Sequence, residues 1–527
     1  MRRTSGRGSH LVMVVAAVAV SVGLVACTVL LDRNAPQCKN DGDCARFSGN
    51  YPVCSNGVCV SSGLVPDHCF MGTPEKPEDF LNACTHSACI LPPDCLKDGT
   101  CSDPDGGLIP PTAPDAGAPA DAGTSSDGGQ QLPSCMDPVD RPLVIYITGS
   151  SNFPPLLAKL GPLIYKNTGY TAVYQITSSC NGVKSMFGTG RDHFIADPGT
   201  GSKTAAATYV TPEGALVPCA LGSTGSGGVR VDIGESDIFA TSCPTSGVPN
   251  PTVGEYYGPN QAMLFVVPSN STQKVISAEM ARTVFGRGGD HGISLPWTNP
   301  DLYLVRNANT GTQQMMGRAI NVPAEQFWGK DQGSAKNLAA QLVLLASASA
   351  GNSAEPAIGL LSNDFYDDKK GNLTALFFQG FGQRCGFLPD STPFVKDKQN
   401  VRDGHYPMWG PLHFFASINS EGVPVSLAAR QFVSVVSEPD LDQELLDAYI
   451  GSGLVPSCAM HVQRLADLGP LTVFRPPVAC NCYFENRLIN PNGGGTPPAD
   501  CTTCNFAGDC RDPNFPACQF NFCEAAN

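Results

Sequence analysis

Val231-Asp232-Ile233-Gly234-Glu235-Ser236-Asp237-Ile238-Phe239, VDIGESDIF, delivers a hydroxyl and a carboxylate straight off the end of a short apolar strand. Three other stretches have the same layout of a strand, a polar turn and a helix start: Ile147–Leu160 (ITGSSNFPPLLAKL), Tyr174–Phe187 (YQITSSCNGVKSMF) and Val305–Thr312 (VRNANTGT). In the first, Pro154 or Pro155 suits the opening turn of a helix. The N–H groups of Asn152 and Phe153 would then point outward from the positive end of the helix dipole. In the second, Ser178 and Ser179 precede a glycine and a helix start. In the third, Arg306 ends a strand while Thr310, Gly311 and Thr312 open a helix, and hydroxyls, amides and a guanidinium together suit an oxyanion.

Asp237 decides which oxyanion. A carboxylate beside an anion pocket repels a ligand that carries no proton. Monohydrogen phosphate has a proton to donate to it and sulfate at neutral pH has none, so an acid at this position selects phosphate.

The chain has 527 residues, 42% hydrophobic and 15% charged, enough for a large core with smaller modules attached. Its 47 acidic and 33 basic residues argue against nucleic acid or an anionic membrane surface as partners. The first 27 residues resemble an export signal: Arg2, Arg3 and Arg7, an apolar run from Leu11, then Leu24-Val25-Ala26-Cys27. This ending is similar to a bacterial lipobox, which implies lipidation of Cys27. The run is short for a membrane-spanning helix, which needs about 20 apolar residues.

Removing Cys27 from the 23 cysteines leaves an even number, as expected where thiols pair in an oxidising compartment. Cys38, Cys44, Cys54 and Cys59 have nearly the spacing of Cys504, Cys510, Cys518 and Cys523, which reads as one small disulfide module used twice. Cys480, Cys482, Cys501 and Cys504 also fit a four-thiolate zinc spacing, but an exported protein favours disulfides. Asp103-x-Asp105-Gly106 lacks the later Glu of a calcium loop, so no metal and no cofactor is expected. Cys135, Cys180, Cys219, Cys243, Cys385 and Cys458 are expected to pair within the main domain, in an order the sequence leaves open.

From about residue 141 to 479, apolar strands alternate with helical patterns, as in α/β domains. In this region GSSNFPPLLAKL, YQITSSCNGVK, VDIGESD and VRNANTGTQ, in that order, resemble the periplasmic phosphate-binding proteins of ABC phosphate importers, joined by SAEMARTVFGRG, PWTNPDL, AIGLL and YPMWGPLHFFA. The resemblance implies a two-lobed type 2 periplasmic-binding fold with two hinge-crossing strands, flanked here by disulfide-rich modules. It implies a phosphate ligand set of Asn152, Phe153, Ser179, Asp237, Arg306, Thr310, Gly311 and Thr312. The chain departs from the family in three places. Ala308 stands where an acid commonly steers the arginine, Asn152 where Thr is usual, and Gly188–Arg230 is inserted.

The expected organisation is a signal with lipobox at 1–27, Cys-rich module(s) at 28–101, and a flexible linker at 102–134. A phosphate-binding-like domain follows at 135–479, with one lobe over about 141–258 and 405–479 and the other over about 259–404, and a Cys-rich module closes the chain at 480–527. The function implied is an extracytoplasmic, lipid-anchored solute-binding protein that takes inorganic phosphate and partners an ABC permease. The alternative is a cell-surface scaffold that keeps the fold with an altered site. An enzyme is not expected: Leu221–Gly228 (LGSTGSGG) lacks the Gly-Lys-Ser/Thr of a phosphate loop, and no G-x-S-x-G follows a strand.

Overall fold

A computed structural model describes residues 69–91 and 132–526, except 71, 198–205, 223–227, 245–247, 290–293, 348–353 and 437–441, together with the strands Val53–Ser55 and Val58–Val60. The export signal, Cys27 and most of the linker lie outside the described residues. No helix among the described residues is long and apolar enough to cross a membrane.

Eleven strands form one sheet. They are β1 (Val144–Gly149), β2 (Thr171–Ile176), β3 (Ala207–Val210), β4 (Leu216–Cys219), β5 (Ile233–Ser236) and β6 (Val253–Pro268), then β7 (Tyr303–Val305), β8 (Lys330–Asp331), β9 (Ile358–Ser362), β10 (Leu373–Ala375) and β11 (Trp409–Ser417). Their order across the sheet is β8-β7-β9-β6-β11-β5-β1-β2-β3-β4, with β10 also on β6. The helices that matter below are α1 (Pro154–Thr168), α2 (Ser179–Phe187), α3 (Ala278–Arg287), α4 (Gly311–Ala319), α5 (Ala335–Ser347), α6 (Asn363–Lys369), α7 (Leu427–Val436), α8 (Gln443–Ile450) and α9 (Asn481–Ile489). The fold is mixed α/β around a large central sheet, as the alternating pattern predicts.

The centre of the sheet joins its two halves. Strand β6 pairs antiparallel with β11 from Val253 to Ala262, with a break in register between Tyr257 and Asn260. From Met263 to Val266 it pairs with β9 instead. One long strand therefore serves both halves, and β11 returns beside it. To either side the strands run parallel, β5-β1-β2 in one half and β9-β7-β8 in the other. Parallel strands of this kind are covered on both faces, and β5 and β9 are buried along their whole length.

In the first half, Leu156, Leu157, Leu160 and Ile164 recur at helical spacing on α1 and pack with Ile145, Tyr174, Phe414 and Phe432. Fully burying one such aliphatic side chain contributes about 1.5–3 kcal/mol. This packing fixes the start of α1, and so positions the turn that precedes it.

The insertion Gly188–Arg230 adds β3 and β4 antiparallel to the far edge of the sheet, beyond β2. Two disulfides act here: Cys135–Cys219 ties the new edge to the start of the domain, and Cys180–Cys243 spans the segment around it. The expectation that all six domain cysteines pair among themselves fails for two of them. Cys385 bonds Cys89 and Cys458 bonds Cys480. The stretch 69–91 and the segment after residue 479 are thus tied to the sheet domain covalently.

The four cysteines that match a zinc spacing are all in disulfides, with Cys482–Cys501 and Cys504–Cys518 beside Cys458–Cys480. The C-terminal hairpin Ala517–Gln519/Phe522–Glu524 sets Cys518 opposite Cys523, and the N-terminal hairpin sets Cys54 opposite Cys59 in the same register. The other cysteines of the N-terminal stretch, Cys38 and Cys44, lie outside the described residues.

Candidate functional site

The four turns singled out by the sequence meet at the C-terminal ends of β1, β2, β5 and β7, where α/β sheets commonly hold ligands. Asp237 is at the centre and buried. Its Oδ2 accepts from Ser150 Oγ at 2.6 Å, from Asn152 Nδ2 at 3.0 Å and from Ser179 Oγ at 3.3 Å. Its Oδ1 is equally buried and has no hydrogen-bond partner.

From the other half, Gly311 N donates to Ser179 Oγ at 3.0 Å, and Thr312 Oγ1 accepts from Asn152 Nδ2 at 3.2 Å. Cys180 N donates to Asn309 O at 3.0 Å. Gly311 is required by this approach, since a Cβ there would stand 2.7 Å from Ser179 Oγ and 2.8 Å from Asp237 Cβ. Likewise, a Cβ on Gly182 would overlap the carbonyl oxygen of Glu235, which lets α2 sit directly on β5.

Arg306, at the end of β7, is buried and donates from Nη2 to Ser151 Oγ at 3.0 Å and to Gly333 O at 3.1 Å, while its Nε has no partner. Burial lowers its pKa to about 10, against the opposing pull of Asp331 and Asp237. It is therefore still a cation at neutral pH. Ala308 removes the acid that the family resemblance leads one to expect near this arginine. Asp331, on β8 and paired in register with Val305, is the acid that most favours the charge on Arg306.

Three helix N-termini face this cluster. Those of α1 and α4 have no side-chain cap, and Ser178 caps α2 by accepting from Asn181 N. First-turn amides lack partners within their own helix, so uncapped starts at one point favour an anion.

The structure brings the predicted residues together with two differences of role. The Phe153 ring is in the core against Tyr174 and Phe414, which leaves only its amide for a ligand. The Thr310 hydroxyl and the Thr310 amide both donate to Asn307 O, at 2.8 and 3.0 Å, so the expectation that Thr310 holds the ligand is not met: both of its donors are used inside its own turn. Asn152, Ser179, Gly311 and Thr312 are linked to Asp237 directly or through one residue, and Arg306 joins through Ser151 in the same turn.

Sequence reasoning missed Ser150, Ser151 and Glu235. Ser150 bridges two acids, because its N–H donates to Glu235 Oε2 at 2.7 Å while its hydroxyl serves Asp237. Alternation along VDIGESD gave no signal, since every residue of β5 is buried. Burial raises the pKa of Asp237, with its three donors and Arg306 acting the other way. Burial and then Asp237 push Glu235 well above the carboxylate range. Asp364, on α6, is raised to about 7 by burial, with Asp237 adding to the shift.

No protein-family model and no curated protein matches the chain. Among solved structures it is similar to an ABC-type phosphate transport receptor from Vibrio cholerae, at 12% identity and TM-score 0.37, covering 59% of this chain and 99% of that one. It is similar to PstS from Borrelia burgdorferi at 13% identity and TM-score 0.33, covering 60% and 98%. It is also similar to the ancestral soluble variant of the human phosphate binding protein at 14% identity and TM-score 0.37, covering 59% and 90%.

Proposed function

We propose that this chain is an extracytoplasmic solute-binding protein, held to a bacterial membrane by lipid on Cys27, that captures inorganic phosphate between the two halves of its sheet and passes it unchanged to an ABC permease. The observation that carries the reading is the wiring of Asp237. Three protein donors occupy Oδ2 and leave Oδ1 as a buried acceptor beside a buried guanidinium and uncapped helix starts. An oxyanion with a proton satisfies that acceptor, whereas one without a proton sets its own charge against it.

Binding without chemistry suits the same residues. The site hydroxyls of Ser150 and Ser179 are engaged with a carboxylate and that of Thr310 with a carbonyl, and no histidine is among their partners in the described residues. A nucleophile oriented by a base is the arrangement catalysis would need. The lipid anchor rests on the Leu24–Cys27 sequence alone, and the permease on the family resemblance.

A thermal-shift titration tests the reading. Phosphate at about 100 times its dissociation constant adds about 2.7 kcal/mol of stability, and sulfate at the same concentration adds much less. No shift with phosphate, sulfate or molybdate overturns the reading and leaves the scaffold alternative.

A further inference from the structure

Beneath Asp237 lies a second acid that phosphate capture does not explain. Glu235 is buried on every side, in register with Phe414 of β11 and against Gly182 of α2. Its Oε2 accepts from Ser150 N at 2.7 Å, and its Oε1 has no partner. A negative charge on Asp237 disfavours a second one on Glu235. The other titratable groups facing the pair are Tyr174 from β2, Arg306 from the turn after β7, and Asp364 from α6.

Two full negative charges here, together with a phosphate anion, would face one arginine. Buried charges without partners are costly enough that such groups neutralise instead. The proton inventory points the same way. The Tyr174 hydroxyl owns one proton and has two oxygens in range, and Ser150 O is nearer than Glu235 Oε2, which is 3.0 Å away. The carbonyl therefore takes the larger share of that proton, which leaves Glu235 with Ser150 N as its one full donor and no partner on Oε1, too little to hold a buried charge.

We propose that Glu235 is kept as the neutral acid beneath Asp237, so that the pair holds one negative charge, and that loss of its proton at higher pH expels the bound phosphate. Glu235 is then a specificity-determining residue that touches no ligand. It sets the total charge the site can tolerate, and it makes phosphate capture strongest at acidic to neutral pH. This inference rests on the phosphate reading above.

The test is calorimetric phosphate affinity against pH for the unaltered protein and for Glu235→Gln, whose amide is a permanent stand-in for the neutral acid. Both bind alike at acidic pH. Above the ionisation of the pair the unaltered protein loses about tenfold in affinity per pH unit relative to Glu235→Gln, which is the linkage of one proton. Parallel profiles overturn the inference and leave phosphate binding intact. Loss of affinity in Glu235→Gln at every pH also overturns it, because the negative charge would then be needed. Should Glu235→Gln not fold, Tyr174→Phe serves: removing a hydroxyl from beside Glu235 moves the pH of phosphate loss, and an unmoved midpoint overturns the inference. No phosphate binding by the unaltered protein at any pH overturns both the inference and the reading beneath it.

Discussion

Replacing Asp237 by Asn separates the proton-acceptor role of this residue from its structural one. The three donors on Oδ2, from Ser150, Asn152 and Ser179, orient the new side chain so that its carbonyl oxygen takes that position. The amide nitrogen then replaces the unpartnered Oδ1. An acceptor becomes a donor, so the proton of bound phosphate meets an N–H and loses its partner, while sulfate gains one. A hydrogen bond to a charged group is worth about 1.5–3 kcal/mol, so the preference for phosphate over sulfate should fall roughly ten- to a hundredfold. Stability without ligand should hold or rise, because a buried carboxylate whose pKa is raised by burial has been removed. Isothermal titration of both anions with both proteins, alongside melting curves, reads these quantities. An unchanged phosphate-to-sulfate ratio in a folded Asp237→Asn protein refutes the proton-acceptor argument.

Arg306→Lys keeps the charge but gives up the planar fork whose Nη2 reaches Ser151 and Gly333. Phosphate affinity should drop about tenfold or more by calorimetry, and an equal affinity would mean that a point charge suffices. Gly311→Ala introduces a Cβ 2.7 Å from Ser179 Oγ and should abolish the phosphate-induced thermal shift while the helix itself persists by circular dichroism; a normal shift would place the ligand elsewhere. Asp364, raised from 3.8 to about 7, binds a proton in the folded chain across a range where the unfolded chain has lost it. The folded state therefore holds more protons there, and stability should fall as pH rises through that window. Asp364→Asn should flatten this fall in urea denaturation, and an unchanged pH dependence would mean that Asp364 is not its source.

The site was legible in the sequence where local chemistry decides it. Helix starts after strands are written in Pro154, Ser178 and Thr310-Gly311, whereas the ligand set as a whole came from the family resemblance. What was not legible depends on distant partners. Cys89 finds Cys385 across 296 residues, and spacing within a segment is silent about that. Asp331 supports Arg306 only because β8 lies beside β7. Helix α6, NDFYDDK, reads as a solvated polar loop, yet Asn363, Asp364 and Asp367 are buried, with Lys398 paired to Asp367. Glu235 is the sharpest case. A glutamate is ordinarily an outward-facing residue, and its burial makes sense only with Ser150 and Tyr174 in place. The short strands β3 and β4 give little pattern to read, since β4 is buried only at Cys219 and β3 only at its two ends.

A crystal structure of the purified protein with phosphate tests the central claim most directly. The account predicts one tetrahedral anion per chain, with an oxygen on Asp237 Oδ1 and another on the Arg306 guanidinium, held by amides at the starts of α1 and α4. Phosphate bound away from these residues, or a cleft that stays free of it at saturating concentration, contradicts it.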